Sequence, residues 1–122
     1  ECVNITDVSA LGNVQTLDLR YCNNITDVSD LGNVHELCLS NCKNITDVSA
    51  LRNVCKLTIG GCDGVSDVSA LGNVHTLSFF DFGNLDISAL GNVHTLTIDR
   101  YLTDVSALSN VYNLTICYCS CC

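Results

Sequence analysis

The sequence predicts an α/β-type solenoid: about six rungs, a parallel β-sheet on one face, and short helical turns or loops on the other. Three observations carry this. Apolar and cysteine residues recur every 20 positions along most of the chain. Each copy holds a short segment that alternates with period two, as a half-buried strand does. The copies follow one another too closely for a full crossover helix, so successive strands must stack as rungs rather than form separate units.

The elements follow in order from the columns. Cys2, Cys22, Cys42 and Cys62 stand in one column, and Ile5, Ile25, Ile45 and Val65 in the next. Val8, Val28, Val48, Val68, Ile87 and Val105 form a third, and Leu11, Leu31, Leu51, Leu71, Leu90 and Leu108 a fourth. Alternating segments such as Leu17-Asp18-Leu19 and Leu57-Thr58-Ile59 place strands near 16–20, 36–40, 56–60, 76–80, 95–99 and 113–117. The Leu71–Leu90 and Leu90–Leu108 spacings shorten to 19 and 18, and both deletions fall between a strand and the Asp that follows it. The whole chain, 1–122, reads as a single array. At about 4.8 Å per rung the stack is roughly 30 Å long.

Val14-x-x-Leu17-x-Leu19-x-x-Cys22-x-x-Ile25 resembles the repeat signature of the leucine-rich repeat family, and the likeness recurs along the full chain. Ile25-Thr26-Asp27-Val28-Ser29 is similar to a stretch of internalin-like arrays, and Cys at the usual Asn position resembles the cysteine-containing subclass. Departures are the missing Pro after the Ser, where Ala10, Asp30 and Ala50 stand, the short 20-residue unit, and Phe82 in the Cys column. The resemblance implies a leucine-rich repeat superhelix whose convex side carries short helical turns.

Charge and composition exclude several functions. Five Lys and Arg stand against thirteen Asp and Glu, a net charge of −8, which disfavours nucleic acid and anionic membrane surfaces as partners. No apolar run is long enough for membrane insertion. The chain has no Met and begins at Glu1, so it reads as a processed or excised piece.

Several columns look chemical. Asp7, Asp27, Asp47, Asp67, Asp86 and Asp104 form a carboxylate row that could be a calcium edge, but each precedes a turn whose amides its side chain can cap. The Asn row from Asn13 to Asn110 suits turns. His35, Cys55, His75 and His94 share a column, yet a row lacks the tetrahedral convergence that zinc requires. No nucleophile stands beside an oriented base. We therefore expect no catalytic residue, no metal and no cofactor, and a non-enzymatic protein.

The outward strand face is small, polar and mixed, which suits contact with another protein. Tyr21, Phe80, Asp81, Arg100 and Tyr118 are candidate contacts on it. Thr76, Ser78, Thr95 and Thr97 resemble the flat threonine arrays of ice-binding solenoids, a lesser alternative interrupted by Asp18, Glu36 and Lys56.

Ten cysteines lie at the density of disulfide-bonded secreted chains. Cys22, Cys42 and Cys62 form an inward core ladder that resembles the free-thiol ladder of intracellular cysteine-type arrays. Asn4, Asn24, Asn44 and Asn113 begin N-glycosylation sequons, which favours an extracellular or secreted location. Both ends share one repeat phase, so a second copy could continue the stack head to tail, with Cys2, Cys119, Cys121 and Cys122 as inter-subunit or terminal disulfides. The expectation is a structural subunit that self-assembles into a disulfide-stabilised, glycosylated filament. The alternative is a monomeric or fragmentary recognition module.

Overall fold

A 20-residue unit leaves too few residues for an α-helix between strands, and the chain returns through single tight turns instead. The structure, a computed structural model, describes residues 2, 4–82, 85–99 and 104–117. Six 3₁₀ turns, Ser9–Leu11, Ser29–Asn33, Ser49–Asn53, Ser69–Asn73, Ser88–Asn92 and Ser106–Leu108, alternate with six strands. The strands are β1 (Thr16–Asp18), β2 (Glu36–Cys38), β3 (Lys56–Gly60), β4 (Thr76–Phe80), β5 (Thr95–Asp99) and β6 (Asn113–Cys117). They form one parallel sheet in sequence order, with Leu17, Leu37, Leu57, Leu77, Leu96 and Leu114 in register. This is the leucine-rich repeat superhelix that the sequence resembled, with its helical side reduced to 3₁₀ turns.

Each return turn is built the same way. Leu31 N–H donates to Val28 C=O at 3.0 Å and Val34 N–H to Leu31 C=O at 3.1 Å, the i to i−3 bonds of a 3₁₀ turn. The Asp before it accepts from the amide two residues on, as Ser29 N–H does to Asp27 Oδ1 at 2.9 Å. The carboxylates therefore make Asx turns one residue ahead of the cap position, which Val28 and its equivalents occupy. That corrects the expected cap by one residue, while the aspartate still satisfies the first free amide of the turn.

The inward columns fill the lumen. Val28, Leu31, Val34, Leu37, Leu39, Ile45 and their equivalents in the middle rungs are buried, and Cys22, Cys42 and Cys62 are fully covered among them, while Ile5, Val105, Leu114 and Ile116 in the outer rungs are exposed. Phe82, in the Cys column, is half-buried and lies flat on Phe79, with ring centroids 4.2 Å apart and planes 4° from parallel. A ring there occupies the space that the other rungs give to a thiol.

β1 and β2 stop at Asp18 and Cys38, two residues short of the expected strands. Inter-rung pairing nevertheless continues, with Leu19 N–H to Cys38 C=O and Tyr21 N–H to Ser40 C=O, both at 2.9 Å. The chain then turns through a left-handed residue in each of the first four rungs: Tyr21, Asn41 and Gly61 at φ 61° and Asp81 at 62°. Asn and Asp tolerate this region through local hydrogen bonds and Gly has no Cβ to clash, whereas Tyr21 carries about 1 kcal/mol of strain.

Candidate protein-contact face

Parallel pairing sends alternate side chains of β1–β4 away from the core, and the curvature of the sheet gathers them into a groove of about 700 Å³. Arg20, Tyr21, Glu36, Cys38, Lys56 and Phe80 are among the side chains lining it. Two ion pairs line it, one within the first rung and one between the second and third. Arg20 binds Asp18 through two guanidinium nitrogens, the shorter contact being Nη2 to Oδ2 at 2.7 Å, and Lys56 Nζ lies 3.7 Å from Glu36 Oε2. The side-chain hydrogen bonds from Arg20 hold the Asp18 carboxyl below its usual range. Both pairs are solvent-exposed, so they orient charge more than they stabilise the fold.

Tyr21 is 53% exposed at one rim. At the other, Phe80 is half-buried, because its ring lies over Gly60: a Cβ added to Gly60 would run into the ring's Cδ2 and Cε2. Gly60 thus makes the shelf that turns an outward phenylalanine into part of a surface. Asp81 is exposed beside it, and its amide donates to Asp99 Oδ2 at 2.6 Å. The structure brings Tyr21, Phe80 and Asp81 to one groove, while Arg100 and Tyr118 lie outside the described residues.

The other singled-out residues are dispersed. Asn4, Asn24 and Asn44 are exposed on consecutive rungs, and Asn44 Nδ2 donates to Asn23 C=O at 2.6 Å. Asn113 opens β6, with Nδ2 3.4 Å from Thr95 Oγ1. Cys2 is half-buried, and Cys119, Cys121 and Cys122 lie outside the described residues. In the core ladder Cys42 Sγ donates to Leu19 C=O at 3.0 Å and Cys62 Sγ to Leu39 C=O at 3.1 Å. Burial pushes the Cys42 thiol up to about 11.

On the convex side the carboxylates of Asp7, Asp27, Asp47, Asp67, Asp86 and Asp104 are held below their usual range by hydrogen bonds from the Ser two residues on. Among the described residues no three His, Cys, Asp or Glu are grouped to hold a metal ion. The histidine column does something the sequence reading missed. His75 stacks on His94 with ring centroids 4.5 Å apart, and His94 on Tyr112 at 4.9 Å. One-rung spacing of planar rings in a single column was the available signal. Each imidazole Nδ1 also meets a neighbouring hydroxyl, Thr76 Oγ1 at 3.2 Å and Thr95 Oγ1 at 3.1 Å.

Among the described residues no helix is long and apolar enough to cross a membrane. No protein-family model and no curated protein matches the chain. Solved structures do. Internalin C2 from Listeria monocytogenes superimposes with a TM-score of 0.67 at 30% identity, over 93% of this chain and 57% of that one. An internalin (inlF) from the same organism gives 0.66 at 30% identity, over 93% of this chain and 38% of that one. The chain thus spans little more than half the length of the first and less of the second. With one parallel sheet, an unbroken leucine column and 3₁₀ returns, the chain has the leucine-rich repeat solenoid fold and is similar to these internalins.

Proposed function

We propose that this protein is a non-enzymatic, extracellular recognition module that binds another protein on its strand face. The observation that carries the reading is the groove itself, where an exposed tyrosine and a shelved phenylalanine flank two oriented ion pairs. Aromatic anchors beside charged groups are the combination that dominates binding energy in protein interfaces. None of the sequon residues Asn4, Asn24 and Asn44 lines the groove. The test is selection of binders from a displayed peptide library on the wild-type protein, followed by measurement on Tyr21→Ala and Phe80→Ala, with circular dichroism confirming the fold. Affinity should fall at least tenfold in either variant, about 1.4 kcal/mol. Binders indifferent to both substitutions would refute the assignment.

A second reading has its own support. On β6, Leu114 and Ile116 are 40% and 49% exposed, whereas Leu96 and Ile98 in the same columns on β5 are fully covered. Another rung laid on that edge would cover them. A second copy docking through β1 could supply it, and repetition of such a contact builds a head-to-tail filament. Light scattering with and without reductant tests this. Filaments that shorten on reduction would support disulfides at the joints, and a monomer at all concentrations would remove the reading.

A further inference from the structure

The charges that line the strand-face groove do not balance. Asp18, Glu36 and Asp81 are negative, and only Arg20 and Lys56 are positive. Both cations are engaged. Arg20 spans the two oxygens of Asp18, Nε to Oδ1 at 3.0 Å and Nη2 to Oδ2 at 2.7 Å, and Lys56 Nζ lies 3.7 Å from Glu36 Oε2. Asp81 is exposed, and among the described residues no cation pairs with it. Its place is set by the backbone. Asp81 stands at φ 62°, and its N–H donates to Asp99 Oδ2 at 2.6 Å, which brings a second carboxylate from the next rung to this end of the groove. Phe80 lines the same end, over Gly60.

We propose that the partner held on the strand face is a basic segment of another protein, a stretch rich in lysine and arginine, with one cationic side chain at Asp81 beside Phe80. The inference rests on the strand-face reading and adds the partner's chemistry to it. Charge complementarity carries it at two ranges. At contact, a cationic side chain can pair with Asp81 and lie against an aromatic ring whose face carries negative potential, while both existing ion pairs stay intact. An acidic segment would meet Asp81 unfavourably, and to use Arg20 it would have to break the paired hydrogen bonds to Asp18. At longer range, thirteen Asp and Glu against five Lys and Arg give a net charge of −8, a field that draws cationic segments in and turns acidic ones away. The convex carboxylates contribute to that field but not to the groove, so contact and field can be separated by experiment.

The test uses the full chain and the displayed peptide library. Pools recovered on the wild-type protein should be enriched in lysine and arginine over the input. A synthetic peptide from such a pool is then titrated against two variants at physiological ionic strength, where exposed charges are screened beyond about 8 Å. Asp81→Asn removes one charge and keeps the side-chain shape, and it suits the left-handed backbone, since Asn41 stands at φ 61° in the same repeat position. Replacing Asp27, Asp47 and Asp67 together by Asn removes more charge, all of it from the convex side. Asp81→Asn should weaken binding about three- to tenfold and the convex variant less than about twofold. Changing the peptide's lysines to glutamine should abolish the difference between wild type and Asp81→Asn.

Binders that need Tyr21 and Phe80 but carry no basic excess would overturn this inference and leave the strand-face reading standing. Equal losses in Asp81→Asn and the convex variant would also overturn it, because the field alone would then account for the attraction. Binders indifferent to Tyr21→Ala and Phe80→Ala, or a library that yields none, would remove the strand-face reading and this inference with it.

Discussion

Truncating the same leucine at different rungs measures how the array is held together. Leu57 is fully covered, in register between Leu37 on one side and Leu77 on the other. Leu57→Ala removes three carbon atoms from a site walled on both sides by backbone, so the neighbours cannot collapse into the space. The cost combines lost transfer energy and a residual cavity, about 2–5 kcal/mol. For 122 residues an unfolding entropy of about 2.1 cal/mol/K per residue gives ~0.26 kcal/mol/K, so a loss of ~3 kcal/mol lowers the melting temperature by roughly 12 °C. Leu114→Ala deletes the same atoms from a side chain 40% exposed on β6, where no cavity can form, and should cost ~1 kcal/mol. Thermal unfolding followed by circular dichroism in reducing buffer reads both. Equal shifts at Leu57 and Leu114 would refute neighbour-to-neighbour packing as the source of stability.

Gly60→Ala should drive the Phe80 ring off its shelf, because the new Cβ would run into Cδ2 and lie 2.6 Å from the Phe80 carbonyl oxygen. We expect ~1–3 kcal/mol of destabilisation together with weakened strand-face binding, read by melting and by titration. The convex carboxylates set an acid limit. Their folded values lie below the ordinary 3.8, so the stability they contribute is present above that pH and is lost as the pH falls through the folded values. Replacing Asp27, Asp47 and Asp67 together by Asn keeps an acceptor for each Ser amide and should flatten the fall in melting temperature below pH 3.8 while leaving neutral pH nearly unchanged. Native alkylation should label half-buried Cys38, Cys55 and Cys117 well before covered Cys42 and Cys62, which timed mass spectrometry will order.

The fold was legible because the repeat overdetermines it. Six nearly identical copies report the same inward columns, so an ambiguity at Leu17 is resolved by Leu37 and Leu57. Strand ends at Asp18 and Cys38 were not legible, since β3 and β4 run on to Gly60 and Phe80 with the left-handed residue at the same repeat position, and Tyr21 gives no sign of a positive φ. The site was partly legible. Outward alternation placed Tyr21, Phe80 and Asp81 on one face, but nothing in the sequence said that Phe80 would lie over Gly60, a contact between rungs rather than within one. The His75, His94 and Tyr112 stack is a relation of the same kind. In a solenoid, residues one period apart touch more closely than chain neighbours do, so chemistry has to be read down the columns.

The cysteine column shows how far that rule reaches. Cys42 and Cys62 are reduced, covered and bonded to carbonyls, and each behaves as a small apolar residue with one weak donor. Both are fully covered, which shields their thiols from oxidant in the folded state. The repeat therefore supplies one geometry down the column, and burial with a carbonyl partner makes a cysteine there pack rather than react.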